Sequence, residues 1–309
     1  MRLGVCVLLS AIVAACGART SGSLELPQLP AAPPSPTPAR GAESPSLSEF
    51  IAKARALAAE ARPPRPAVTQ IESSDPRLAA AILEARVVPS PKAFRRVAEE
   101  YHHLKIDDRA LDYLHQAHLL DPRDAATYDS LARLWRDGGL LNLALADAHR
   151  ALYYAPDSAA VHNTLGTILQ ALGQRKPARR EYEKALQLDP AAAYALNNLC
   201  YGWILDREPG KAVTACQSAL KISPGLSAAR NNLGLAYASR GDLDATRGAF
   251  ERVGDRATAL YNLGIVYMGR REYSDAVSAF AAAQQARPSF PMATVRAEQA
   301  GKLVLAGAD

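Results

Sequence analysis

Prolines recur along this chain at a fixed interval: Pro122, Pro156, Pro190 and Pro224 stand thirty-four residues apart, and Pro288 continues the series. Such an interval signals a repeated supersecondary unit that cannot bury its apolar face alone and must stack on its neighbours. The residues between the prolines repeat too. Alanine precedes the proline by five in Ala117, Ala151, Ala185 and Ala283, and by twelve in Ala110, Ala144, Ala178, Ala212 and Ala276, where a small side chain lets two helices approach closely. Leu114, Tyr182 and Phe280 stand eight before it, and Tyr101, Trp135, Leu169, Trp203 and Tyr267 twenty-one before it. These places predict one apolar helical face per segment. Gly139, Gly173 and Gly241 fall between the segments and mark turns. Proline has no amide hydrogen and its ring clashes with the preceding turn, so a helix does not run through it. Each unit reads helix, turn, helix, stop, and the chain reads as all-α.

The pattern resembles the tetratricopeptide repeat, most clearly in "NTLGTILQALGQRKPARREYEKALQLDP", "NNLGLAYASRGDLDATRGAF" and "YNLGIVYMGRREYSDAVSAFAAAQQARP". The resemblance covers about two thirds of the chain and implies an α-solenoid of about six helical hairpins over residues 91–290. The units fall near 91–124, 125–158, 159–192, 193–226, 227–256 and 257–290. The fifth departs from the pattern: its terminal proline is missing, Thr246 replaces the small alanine, and Pro224 to Pro288 is four residues short of two periods. About one helical turn is therefore expected to be absent there. Residues 291–309 read as a capping helix and tail that cover the open end of the stack.

Residues 1–15 set the expected compartment. Arg2 precedes an apolar run from Leu3 to Ala15, and "VAAC" places Cys16 after two small residues, which resembles a bacterial lipoprotein signal with its lipobox. That resemblance implies lipidation of Cys16, attachment to the membrane by the N-terminal lipid, and an address at the outer membrane facing the periplasm. A membrane span needs about twenty apolar residues, more than this run supplies. An ordinary secretory signal would instead leave Cys16 as a free thiol. Residues 16–45 are dense in Pro, Ala and Ser, including "LPAAPPSPTP", and read as an extended, disordered tether. Residues 46–90 hold "SLSEFIAKARALAAEA" and "DPRLAAAILEARVV", separated by "RPPRP", and read as flanking helices or a degenerate repeat.

The net charge of +5 is modest and its Lys and Arg are scattered among Asp and Glu, so nucleic-acid binding is not indicated. Cys200 and Cys216 sit symmetrically about Glu208, near the turn of the fourth unit. Residues equally far from a hairpin turn stand at equal height, which admits a disulfide in an oxidising compartment and equally admits two buried thiols. His102 with His103, and His115 with His118, lack an acidic or cysteine ligand at metal spacing and read as exposed helix residues, so no metal and no cofactor is assigned. Asn198, Asn232 and Asn262 occupy the sixth place of units four to six, and Asn163, Asn197 and Asn231 the fifth place of units three to five. In tetratricopeptide stacks these places line the concave groove, where an amide ladder can pair with the main chain of an extended peptide; asparagine there also helps pack the neighbouring hairpin. The sixth-place set is the preferred ligand-facing one.

No nucleophile, base and orienting acid assemble at recognisable spacing, and no glycine-rich phosphate loop is present, so an enzyme is not expected. The passage from "ALNNLCYGWILDREPG" to "YNLGIVYMGRREYSDAVSAF" resembles the TadD-like lipoproteins of tight-adherence pilus assembly. That resemblance implies an accessory lipoprotein whose concave groove holds a secretin or other pilus-machine subunit. A scaffold for peptidoglycan enzymes of the cell envelope is the second expectation. An unrecognised enzyme or ligand receptor, resting on the first histidines with Arg95 and Arg96, is the third.

Overall fold

A computed structural model describes residues 74–307; the expected signal, Cys16, the tether and the "SLSEFIAKARALAAEA" segment lie outside these residues. The described residues are helical and divide into two compact units, one ending at Pro156 and one beginning at Asp157.

In the first unit α1 (Pro76–Val87) precedes two hairpins, α2 (Pro91–His103) with α3 (Asp107–Leu120), and α4 (Ala125–Asp137) with α5 (Leu141–Tyr154). The second unit contains four hairpins: α6 (Ala159–Ala171) with α7 (Arg175–Leu188), α8 (Ala193–Leu205) with α9 (Pro209–Ile222), α10 (Ser227–Arg240) with α11 (Leu243–Glu251), and α12 (Arg256–Arg270) with α13 (Tyr273–Ala286). α14 (Pro291–Leu305) closes it. The fold is an all-α tetratricopeptide solenoid.

The stops act as the prolines predict. α3, α5, α7, α9 and α13 each end two residues before the repeat proline, and the intervening residue is extended, as at Asp121 (φ −143°, ψ 96°) and Asp189 (φ −137°, ψ 94°). Proline Cδ crowds the residue before it out of the helical region. Entry is set by caps: Ser90 and Ser158 accept from the amides of Ala93 and Val161, and Pro91 and Pro209 supply the first helical position. α11 has 9 residues where the other second helices have 14, which is where the missing turn falls.

Every hairpin turn carries one residue in the left-handed region. Gly139, Gly173 and Gly241 take φ of 78°, 77° and 89°, and Lys105, Arg207 and Arg271 occupy the same place in the other three hairpins at 61°, 61° and 66°. A Cβ there crowds the following carbonyl and costs about 1–2 kcal/mol, offset in glycine by its looser unfolded chain. Arg271→Gly is therefore expected to stabilise the second unit by about 0.5–1 kcal/mol, read as a raised thermal midpoint.

Within each hairpin, residues sixteen apart face each other across the pair of helices. Gly166 faces Tyr182, Gly234 faces Phe250 and Gly264 faces Phe280, each so closely that a Cβ would fall within 2.6 Å of the ring. Hairpin one has Ala98 and Leu114 at these places, hairpin two Ala132 and Ala148, and hairpin four Cys200 and Cys216. Small is met by large, or the pair is otherwise filled. Where hairpin two lacks a ring, Trp135 lies 5% exposed and donates through Nε1 to Asp147 Oδ2 at 2.9 Å. Burial pushes the Asp147 carboxyl up, while Arg150 Nη1 at 2.7 Å and the indole hold it down.

The alanines five and twelve before the proline are fully buried, as helix contact requires. The places twenty-one before it are not uniform core. Tyr101 and Trp135 are buried, but Leu169, Trp203 and Tyr267 are half-buried, because the place sits at the margin between the core and the first-helix surface. Trp203 instead lies beneath Arg179 (4.3 Å) and Lys211 (4.6 Å).

Candidate functional site

In the second unit the first helices of neighbouring hairpins touch, α6 with α8, α8 with α10 and α10 with α12. The six asparagines lie where these first helices meet. Asn198 Nδ2 donates to Asn163 Oδ1 at 2.7 Å, Asn232 Nδ2 to Asn197 Oδ1 at 2.9 Å, and Asn262 Nδ2 to Asn231 Oδ1 at 3.0 Å. Each sixth-place amide thus donates to the fifth-place amide of the preceding hairpin. The result is a ladder that fixes the register of one hairpin on the next.

This corrects the sequence expectation for the sixth-place set. Asn262 is 2% exposed and closed off from a ligand, and one N–H of each of Asn198 and Asn232 is committed to the neighbouring hairpin. The fifth-place residues accept with Oδ1 and keep their amide hydrogens: Nδ2 of Asn163 and Asn231 engages no other described residue, and that of Asn197 lies 3.5 Å from Asn198 Oδ1. An extended peptide needs donors at a regular step for its carbonyls. The fifth places supply them.

Two residues beside the ladder carried no signal in the repeat pattern. Tyr194 and Tyr201 lie on α8 three before and four after Asn197, hence on the same helical face. Tyr194 is 40% exposed and Tyr201 half-buried, where burial pushes its hydroxyl up. From α7, Arg175 Nη1 donates to the carbonyl of Leu205 at 3.1 Å and Arg179 pairs with Asp206, so cations close the C-terminal end of α8.

Cys200 and Cys216 form a disulfide across α8 and α9, with Cα atoms 5.3 Å apart and both residues fully buried.

Of the four early histidines His103 is an exposed helix residue, as the sequence reading expects, and the other three are not. His115 and His118 are half-buried, and His118 packs edge-on against Tyr128. His102 links two hairpins: Nδ1 meets Asp107 Oδ1 at 2.9 Å and Nε2 meets Asp137 Oδ2 at 3.0 Å. Both ring nitrogens donate, which requires the imidazolium. The hydrogen bonds to Asp107 and then Asp137 hold its pKa at about 9 against the opposing effect of burial. A raised folded-state pKa gives stability that is complete below about pH 6.5 and lost as pH rises through about 9. The carboxylates are about a third exposed and solvent screens them, so the loss is expected to be about 1 kcal/mol. Denaturant midpoints at pH 6 and pH 10 should show it, and His102→Gln should flatten the difference.

His102 also borders a cleft of about 250 Å³ between α2 and α4. Its charges answer one another: Arg95 pairs with Asp124, Arg133 with Asp129, and Arg136 with Asp137. Among the described residues no group of three His, Cys, Asp or Glu side chains is placed to hold a metal ion.

The tetratricopeptide repeat profile matches residues 159–192, the whole of the α6 and α7 hairpin. The BBSome complex member BBS4 of Bos taurus is 28% identical over 201 residues, 62% of this chain and 37% of BBS4. A solved structure, the APC/C hetero-tetramer Cut9–Hcn1, aligns with a TM-score of 0.62 and 18% identity over 72% of this chain and 45% of that one. PilW, described as a widely conserved type IV pilus biogenesis factor, aligns with a TM-score of 0.56 and 20% identity over 64% of this chain and 94% of PilW. This chain thus spans little more than a third of the length of BBS4 and slightly under half of the Cut9–Hcn1 chain. These likenesses agree with the helical pairing above: the described helices pair as in tetratricopeptide repeat proteins.

Proposed function

We propose that this protein is a membrane-tethered scaffold that holds an extended segment of a partner on its first-helix face, as an accessory lipoprotein in assembly of a pilus or secretion machine. The observation that carries the proposal is the amide ladder: Asn163, Asn197 and Asn231 present hydrogen-bond donors along one face, with Tyr194 and Tyr201 beside them for the partner's side chains. Main-chain pairing gives grip without demanding one side chain, and alternate aromatic contacts add selectivity. The likeness in fold to PilW and the lipobox at Cys16 support the envelope setting. A disulfide in a buried site fits an exported, oxidising compartment.

The test uses Asn163→Asp with Asn231→Asp. Aspartate keeps the acceptor that Asn198 and Asn262 need, so the hairpins stay in register, and removes the free amide hydrogens. Crosslinking in the native host, affinity purification and mass spectrometry then compare this variant with the wild type, folding being checked by circular dichroism. Enrichment of a secretin or pilus-machine subunit that the folded variant loses supports the reading. Partners indifferent to the change, or peptidoglycan enzymes recovered in their place, overturn it.

A further inference from the structure

The later second helices α3, α5, α7, α9 and α13 each pack against the first helix that precedes them, whereas the principal contact of α1 is with α2, which follows it. One side of α1 is used in that contact, with Leu78, Ala81, Ile82 and Ala85 buried. The other side is also apolar: Leu83 is 63% exposed, Val87 71% and Val88 62%, with exposed Ala79 and Ala80 one turn earlier. Residues 79, 83 and 87 lie four apart and make one continuous stripe. The end element of a solenoid needs a polar outer face to stay soluble. The outer face of α1 is that of an interior element.

We propose that residues 47–61 of this same chain dock on that stripe as a helix, completing a hairpin ahead of α2. The segment has the matching pattern: Leu47, Phe50, Ile51, Ala54, Leu57, Ala58 and Ala61 recur at three- and four-residue steps, while Glu49, Lys53 and Glu60 fall on the other side. A helix of this length reaches about 22 Å, enough to cover the roughly 18 Å of α1. Residues 62–73 connect the two, and the prolines in "RPPRP" disfavour a single continuous helix through them. At about 3.1 Å per residue that connection is long enough for an antiparallel return. Covalent linkage keeps the segment at high effective concentration beside α1, which favours it over a free partner.

Hydrogen exchange with mass spectrometry on the full chain in detergent tests the proposal. Amides of residues 50–61 are expected to exchange at least tenfold more slowly than those of the proline-rich stretch before them. Leu83→Glu with Val87→Glu, both exposed positions, should abolish that protection while leaving α2 and α3 as protected as in the wild type. Absence of protection in the wild type, or protection that the double variant does not change, overturns the proposal. Protection that rises with protein concentration overturns it as well, because it assigns the stripe to a second copy of the chain.

Discussion

Reducing the Cys200–Cys216 bond is expected to lower the stability of the second unit by about 3 kcal/mol, the entropy that a bridge closing sixteen residues withdraws from the unfolded chain. The loss has a packing part as well. Hairpins three, five and six fill the space between their helices with a ring against a glycine, and hairpin four fills it with two sulfurs. Reduction leaves two thiols that fit the same space less firmly. Thermal unfolding followed by circular dichroism, with and without reductant, should show a midpoint lower by several degrees and faster migration of the oxidised chain on a non-reducing gel. Cys200→Gly with Cys216→Phe restores the pair found at Gly234 and Phe250, and this variant should recover much of the loss and ignore reductant. An oxidised wild type whose midpoint does not move on reduction would refute the assignment of stability to the bridge.

The repeat was legible because proline and buried alanine act through backbone geometry, which the chain cannot evade. Pro122, Pro156, Pro190, Pro224 and Pro288 each follow a helix that stops two residues earlier, and Ala110 and its equivalents sit where only a small side chain fits. Turns were legible only where they held glycine; Lys105, Arg207 and Arg271 adopt the same conformation without advertising it, because the stacked helices on either side dictate it. Side-chain roles were harder to read. The asparagines stand at recurring places of the repeat, but which member of each pair donates to the other depends on the offset between hairpins, and that offset is a property of the packed stack. His102 escaped the sequence for a similar reason, since Asp137 lies thirty-five residues away and meets it only when hairpins one and two pack. Local pattern reveals what the backbone requires, and contacts between repeats decide what polar groups do.

Gly264→Ala is expected to destabilise the second unit by about 1–3 kcal/mol, although alanine is the better helix former by about 1 kcal/mol. A Cβ at Gly264 would lie 2.6 Å from Phe280 Cε1 and 2.7 Å from Cδ1. Phe280 is fully buried, and Tyr261 packs against it with ring centroids 5.4 Å apart, so the ring has no room to withdraw. Gly248 in α11 is the control, because a Cβ there meets nothing within 4 Å, and Gly248→Ala should stabilise by about 1 kcal/mol. Hairpin one shows how the clash is relieved: Ala98 faces Leu114, a smaller side chain than a ring. Gly264→Ala combined with Phe280→Leu should therefore lose less than the two single changes added together, with a favourable coupling of about 1 kcal/mol or more. Denaturant unfolding of the four proteins gives that coupling directly. Additive losses would mean that glycine is there for a reason other than the ring it faces, whereas the expected coupling would show that this hairpin is specified by one pair of residues sixteen apart, the pair met in other hairpins by alanine with leucine, by two alanines and by two cysteines.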